Sequence, residues 1–435
     1  MKYRPIDPQL FVEHRENLKR LLAPNALAVV NSNDILPTNA DGSMLLRANS
    51  DLFYLTGIEQ EESLLLLYPD AHDEKFREIL FLREPNALAE TWEGHKWTQD
   101  EAKQISGVAR VAWLSEFRGI FHRLMCEAER VYLNSNEHKR ADSQVETREA
   151  RFVRETMRAY PLHEYRRLAP LLHGLRAVKA PAEIEVLQHA CDITSAGFRR
   201  VARFVRPGVN EMEVEAEYAH EFIRRGARFA YDPIVASGAN ACVLHYVQND
   251  QPCRDGDLLL LDVAASYANY NADLTRTLPV NGRFSRRQRQ IYNAVERVLH
   301  AASAAATPGK LPRDWQKEAE TFMEKELVDL GLLKMAAIRN QHPDHPAVKK
   351  YFMHGIGHPL GLDVHDVAQM DKPMASGWVV TVEPGIYIPA EKMAVRLENN
   401  IVLREGGNLD LMADVPLAAA DIEDLMRAKR RKRKS

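Results

Sequence analysis

In the stretch DLLLLDVAASYANYNADLTRTLPV, Asp262 follows four leucines and Asp273 comes eleven residues later. That spacing predicts a hairpin centred between Tyr267 and Ala268, with the two carboxylates directly opposite on one face and Cβ atoms roughly 4.5–5.5 Å apart. Like charges so placed repel unless a cation lies between them or one carboxyl keeps its proton. A metal ion is the simpler answer. The stretch WVVTVEPGIYIPAEKMAVRLENNIVL repeats the device, because Glu383 and Glu398 stand fifteen apart about a centre between Ala390 and Glu391. Any one of these acids alone reads as a strand-end residue in a surface ion pair. The repetition argues against that for the set, and four converging carboxylates suit two divalent ions.

Between the hairpins lies YFMHGIGHPLGLDVHDV, where His354, His358 and His365 sit among glycines and a proline, the composition of a close-packed loop. A lone histidine is ordinarily a satisfied core or surface residue. Three within twelve residues beside an acidic cluster point to ligand and acid/base roles. His245, in NACVLHYVQN, is a fourth candidate. Metal ions held this way lower the pKa of bound water and clamp both a nucleophile and a developing oxyanion. Hard, carboxylate-rich ligation favours Mn²⁺ among the common ions and leaves Zn²⁺ and Co²⁺ open.

Elements must position these groups, and 435 residues allow two or three domains, each with its own core. Short apolar runs at Ala26 to Val30, Leu64 to Tyr68, Ile79 to Leu82 and Val131 to Leu133 alternate with helix-length polar segments, the pattern of an α/β domain. Residues 137–160 read as an exposed helix or linker. Pro181 with Glu183 and Glu185 suits a helix N-terminus, and further helices are expected at 211–226, 285–306 and 313–331. Strands are expected at 258–265, 272–280, 378–388 and 394–403. This divides the chain into an N-terminal domain, 1–172, a catalytic domain, 173–425, and a basic tail, 426–435.

With 58 basic against 61 acidic side chains the net charge is −3, so no global field draws nucleic acid or anionic lipid. The run KRRKRK at Lys429 to Lys434 reads as a solvated tail. Four cysteines (Cys126, Cys191, Cys242, Cys253) at wide spacings offer neither a zinc knuckle nor a redox pair and read as reduced, buried thiols. No apolar run approaches the roughly 18 residues of a membrane span and no secretory h-region opens the chain, so the cytoplasm is expected, with neither membrane nor nucleic acid as partner.

The series HYVQN, LLLLDVAASYANYNADLTRT, MHGIGHPLGLDVHD, TVEPGIY and VRLENNIVL resembles the creatinase/aminopeptidase metallopeptidase superfamily, most closely its aminopeptidase P and prolidase branch. The resemblance covers about residues 175–410, and more weakly NSNDILPTNADGSMLLRANSDLFYLTGIEQEESLLLL resembles the domain preceding the catalytic one in that branch. It implies an α/β chain whose catalytic domain has the pita-bread fold. It implies that Asp262 chelates one metal, that Asp273 and Glu398 bridge two, and that His358 and Glu383 hold the other. A bridging water or hydroxide then attacks the scissile carbonyl. His245, His354 and His365 bind substrate and stabilise the intermediate, and Arg396 lies near the metals. Trp92, in ETWEGHKW, resembles an N-domain tryptophan that closes a neighbouring subunit's site, which implies a homo-oligomer, a dimer or tetramer.

The activity so implied is removal of an N-terminal residue that precedes proline, from peptides with proline second. Prolidases, which cut Xaa-Pro dipeptides, typically run a long loop with a carboxylate-binding arginine between the segments matching VHD and EPG. Here VAQMDKPMASGWVVTV is short and offers only Lys372. A non-catalytic relative that binds peptide, protein or nucleic acid is the third reading, and the complete ligand set argues against it.

Overall fold

Uncharged aliphatic runs can be covered on both faces, and in the first third of the chain they make one sheet. The computed structural model describes residues 3–342 and 344–432, which divide into two compact units, Tyr3–Arg176 and Ala177 onward. In the first, β1 (Ala26–Asn31), β2 (Leu64–Leu67), β3 (Glu78–Leu82), β4 (Arg110–Trp113), β5 (Arg130–Leu133) and β6 (Glu164–Arg167) form a mixed sheet in the order β4-β3-β2-β1-β5-β6. Every residue of β1 and β2 is buried. Local chemistry marks the helix ends. Asp7 caps Pro8–Leu21 by accepting from the Gln9 amide, and Thr98 and Glu101 form a capping box on Gln99–Ser106. Residues 137–160 hold one helix, Arg148–Ala159, of which Glu149 and Thr156 are buried. Trp92, on the helix Ala87–Glu93, is 81% exposed and is no core residue.

In the second unit the strands are β7 (Arg228–Phe229), β8 (Ile234–Ser237), β9 (Leu258–Asp262), β10 (Ala265–Tyr267), β11 (Tyr270–Asn271), β12 (Thr275–Pro279), β13 (Val379–Val382), β14 (Gly385–Ile388), β15 (Met393–Arg396), β16 (Asn399–Val402) and β17 (Leu409–Asp410). They pair as β12-β9-β8, β11-β10-β7, β13-β16-β17 and β14-β15. Three of the four strands expected from the apolar runs, 258–265, 378–388 and 394–403, are each interrupted, the fourth, 272–280, forms only over Thr275–Pro279, and each break falls at or beside an acid. Pro384 has no amide hydrogen for a ladder. The neighbouring amides turn to partners outside their own hairpin: Glu383 N to Ile356 O (2.8 Å), Glu398 N to Thr275 O (3.0 Å) and Asp273 N to Asn400 Oδ1 (3.0 Å). The last two of these bonds tie one hairpin to the other.

The expected helices form at Pro181–Phe204, Glu211–Arg224, Arg286–Ala305 and Pro312–Asp329. In the first, Glu183 accepts from the Ala180 amide at 2.8 Å, and Leu187, Cys191, Thr194 and Phe198 face the core. Gly197 permits close packing on Glu211–Arg224, because a Cβ there would stand 2.8 Å from Phe222 Cε1. Thr194 Oγ1 accepts from the Ala265 amide at 2.9 Å and so fixes β10. The helix Ala419–Lys432 takes in residues 429–432 of the basic run, while Arg433 and Lys434 lie outside the described residues. All four cysteines are free; Cys191 and Cys253 are buried as expected, Cys242 is half-buried and Cys126 is exposed. No described helix is long and apolar enough to cross a membrane.

Candidate metal centre

Turn chemistry sets the first hairpin. Ala268 and Asn269 both take positive φ (48° and 64°), a two-residue loop whose twist matches the strands it joins. The pairs Tyr267 with Tyr270 and Asp262 with Thr275 then share one register. The centre lies one residue later than the symmetry of the two acids suggested, because the left-handed pair has to occupy the turn. Asp262 thus faces Thr275, and Asp273 sits diagonally from it on the same face rather than directly opposite. In the second hairpin the register pairs Val382 with Asn399 and Gly385 with Arg396, which leaves Glu383 directly across from Glu398.

The diagonal gap between the aspartates is filled by Tyr231, whose hydroxyl lies 2.5 Å from Asp262 Oδ1 and 2.6 Å from Asp273 Oδ1. An edge bulge aims it there. Phe229 pairs with Ala265 and Ile234 with Asp262, so four residues of the edge oppose two of the central strand. No pattern in the sequence signals this.

Nine of the ten residues singled out by sequence, all but Trp92, meet on one cavity of about 360 Å³: His245, Asp262, Asp273, His354, His358, His365, Glu383, Arg396 and Glu398. Single donor atoms of Asp273, His358 and Glu398 lie within 4.8 Å of one another. His358 Nε2 stands 3.5 Å from Asp273 Oδ2 and 3.7 Å from Glu383 Oε1, while its Nδ1 bonds the Pro359 carbonyl at 2.9 Å. That carbonyl fixes the tautomer that leaves Nε2 free to ligate. The His365 ring meets His358 edge-on with centroids 4.3 Å apart. His354 bonds Gly355 O through Nδ1 (2.8 Å) and Tyr387 OH through Nε2 (2.9 Å).

Each nitrogen of Arg396 makes one bond: it donates to Asp262 Oδ2 (2.5 Å), Tyr387 OH (2.8 Å) and Thr275 Oγ1 (3.1 Å), and Thr275 donates to Glu398 Oε2 at 2.7 Å. Tyr387 and Thr275 escaped the sequence reading. Strand alternation could have found Tyr387, which lies on the Glu383 face of β14. Gly385 leaves room for its ring, for a Cβ there would stand 2.8 Å from Tyr387 Cε2.

Burial pushes the Asp262 carboxyl up, and the Asp273 charge adds to this against the pull of Arg396. It pushes Glu383 up to about 7, opposed by His358 and Arg396, and Glu398 well above the usual carboxylate range, where the Asp273 and Glu383 charges add to it. Burial works against a charged His358, but the Asp273 hydrogen bond and the Glu383 charge outweigh it and raise its pKa. His354 is held neutral, lowered to about 3 by burial with the Arg396 charge adding. Buried carboxylates this close are stable together and ionised only with cations between them. The donor set fits divalent metal ions.

Residues 185–405 match metallopeptidase family M24, and residues 11–132 match the aminopeptidase P N-terminal domain. The chain is 36% identical over 429 residues to Xaa-Pro aminopeptidase of Haemophilus influenzae, covering 96% of each, and 35% identical to that of Escherichia coli, covering 98% of this chain and 99% of the other. Zinc-substituted Escherichia coli aminopeptidase P in complex with product superposes with a TM-score of 0.85 at 34% identity over 98% of this chain and 99% of that one. Pseudomonas aeruginosa aminopeptidase PepP superposes with a TM-score of 0.89 at 31% identity, over 99% and 100%. The chain therefore belongs to the M24 metallopeptidases, hydrolases that work with divalent metal ions. Within them it stands on the aminopeptidase P branch, a metallo-aminopeptidase with an α/β N-terminal domain ahead of the M24 catalytic domain.

Proposed function

We propose that this chain is a two-metal Xaa-Pro aminopeptidase, releasing the N-terminal residue from peptides with proline second, and that Mn²⁺ is the ion its hard ligands suit best. The observation that carries the reading is the meeting of four carboxylates and His358 on one cavity wall with His245, His354 and His365 around it. In this reading Asp262 holds one ion, His358 and Glu383 hold the other, and Asp273 and Glu398 are shared. When bound, such ions supply an activated water and a Lewis acid for the scissile carbonyl.

The remaining work falls to the chain's own side chains. Arg396 and Thr275 hold Asp262 and Glu398 in fixed orientations. Neutral His354 donates through Nδ1 to Gly355 O and so accepts from the Tyr387 hydroxyl through Nε2, which sets its ring on the cavity wall where substrate binds, and His365, pressed against His358, is placed to bond the substrate carbonyl oxygen as charge develops on it. His245, exposed on the same cavity, is placed to bind the peptide. A bond before proline is a tertiary amide with no N–H. The apolar wall of Ile234, Leu244, Val247 and Val364 gives a ring and side chains somewhere to pack. The relatives' names support proline in second place.

Each nitrogen of Arg396 is already held by Asp262, Tyr387 or Thr275, which orients the guanidinium toward those groups rather than toward a free carboxylate and favours the aminopeptidase over the prolidase reading. The reading also takes the chain as a homo-oligomer, which the exposure of Trp92 supports. Its test is a tripeptide panel, Xaa-Pro-Xaa against Xaa-Ala-Xaa, with Mn²⁺, Zn²⁺ or chelator present. Cleavage confined to the proline series and strongest with Mn²⁺ supports it, and equal cleavage of both series overturns the proline specificity.

A further inference from the structure

Glu211 is the first residue of the helix Glu211–Arg224 and is fully buried, outside the cavity described above. Its carboxylate receives five hydrogen bonds, and every donor comes from one segment. Oε1 accepts from Ser237 N (2.7 Å), Ser237 Oγ (2.6 Å) and Asn240 Nδ2 (3.3 Å); Oε2 accepts from Tyr246 OH (2.8 Å) and Gln251 N (3.1 Å). A carboxylate offers two oxygens and about four lone-pair sites, so this one is used to capacity.

From Ser237, the last residue of β8, to Gln251 the chain has one 3₁₀ turn, Gly238–Cys242, and no further regular structure, and this stretch carries His245. A loop of this kind holds a side chain in place only through pins to a rigid element. His245 is exposed, as are Val243 and Val247 near it, whereas Tyr246 is buried beside Ile234, Leu260 and Tyr387. The residue adjoining His245 is thus the anchored one, and its hydroxyl ends on Glu211. A separate pin secures the far end: Asn249 accepts from Val235 N (3.0 Å) and donates to Pro233 O (2.9 Å) and Glu215 Oε2 (2.8 Å). Loosening Glu211 therefore frees the middle of the segment without detaching it.

We propose that Glu211 is a positioning residue for His245, acting through the Tyr246 hydroxyl to hold the imidazole on the cavity wall. The inference rests on the reading of His245 as a group that touches substrate. The helix N-terminus, where a negative side chain is favoured, steadies the pin.

The test is a double-mutant cycle on the metal-loaded enzyme with a Xaa-Pro-Xaa tripeptide. Tyr246→Phe removes one hydroxyl and Glu211→Gln removes one acceptor oxygen, each measured alone and on a His245→Ala background. Each is expected to lower kcat/KM about tenfold in the presence of His245, within the coupling seen between contacting residues, and less than about twofold in its absence. Metal content should stay at the parent level throughout. Equal losses on both backgrounds, or no loss for Tyr246→Phe, overturn the positioning role. If His245→Ala itself leaves kcat/KM unchanged, the reading of His245 falls and this inference with it.

Discussion

Glu383 and Glu398 face each other across an interruption in their hairpin, in the register that pairs Val382 with Asn399 on one side and Gly385 with Arg396 on the other. Burial pushes Glu383 up to about 7 and Glu398 well above the ordinary range, so the pair is stable in its ionised form only against positive charge. Purified protein is accordingly expected to carry close to two divalent ions per chain. Chelation should remove activity and lower the thermal midpoint, because ions bound to the folded state alone stabilise it. Elemental analysis with a thermal scan checks this, and a stoichiometry near zero with full activity would refute it.

Ligands and helpers should separate on mutation. Asp273→Ala or Glu398→Ala removes a donor of the closest-spaced group and is expected to abolish metal binding together with activity. His365→Ala takes away a ring packed on His358 and should cut kcat by about 10²–10³, the usual cost of one stabilising donor, with metal content nearly unchanged. An unchanged rate for His365→Ala would remove it from the catalytic set.

Substrate length follows from the occupied arginine. A dipeptidase has to recognise the carboxylate one residue past the cut, the task that a bidentate arginine does best. Each nitrogen of Arg396 is already bound, to Asp262, Tyr387 or Thr275. A Xaa-Pro-Xaa tripeptide should therefore be cleaved with higher kcat/KM than the matching Xaa-Pro dipeptide, and steady-state kinetics showing the reverse order would favour the prolidase reading.

The first unit holds a buried carboxyl of its own. Glu149 accepts from Asn31 N at 2.9 Å and Asn31 Nδ2 at 2.8 Å, yet burial pushes its pKa from 4.5 up to about 7, the Asp51 charge adding to it. A carboxyl raised in the folded state contributes stability that is complete below its unfolded pKa and is lost as pH rises through the folded value. Stability of this unit should fall between about pH 4.5 and 7, and Glu149→Gln should flatten that fall. Denaturant titrations at pH 5 and 8 measure it; the same pH dependence in variant and parent would exclude Glu149 as its source.

Local chemistry by itself determined which residues matter: acids closing apolar runs, histidines among glycines, prolines and capping boxes at helix starts all leave a signal within a few residues of the group concerned. Those signals placed Glu211–Arg224, Arg286–Ala305 and Pro312–Asp329 to within two residues at their ends and brought forward eight side chains that share one cavity, which Arg396 joined only through the family resemblance. Only the tertiary structure decided how they face one another. The turn at Ala268–Asn269 moved Asp262 opposite Thr275, because backbone twist rather than the symmetry of the acids sets the register. The amides of Asp273 and Glu398 left their ladders for partners more than a hundred residues away, so the strands break where the apolar pattern runs on. Tyr231, Tyr387 and Glu211 owe their places to an edge bulge, a glycine gap and a distant loop. Such contacts form between segments far apart in the chain and are fixed by packing, which periodicity along the sequence does not encode.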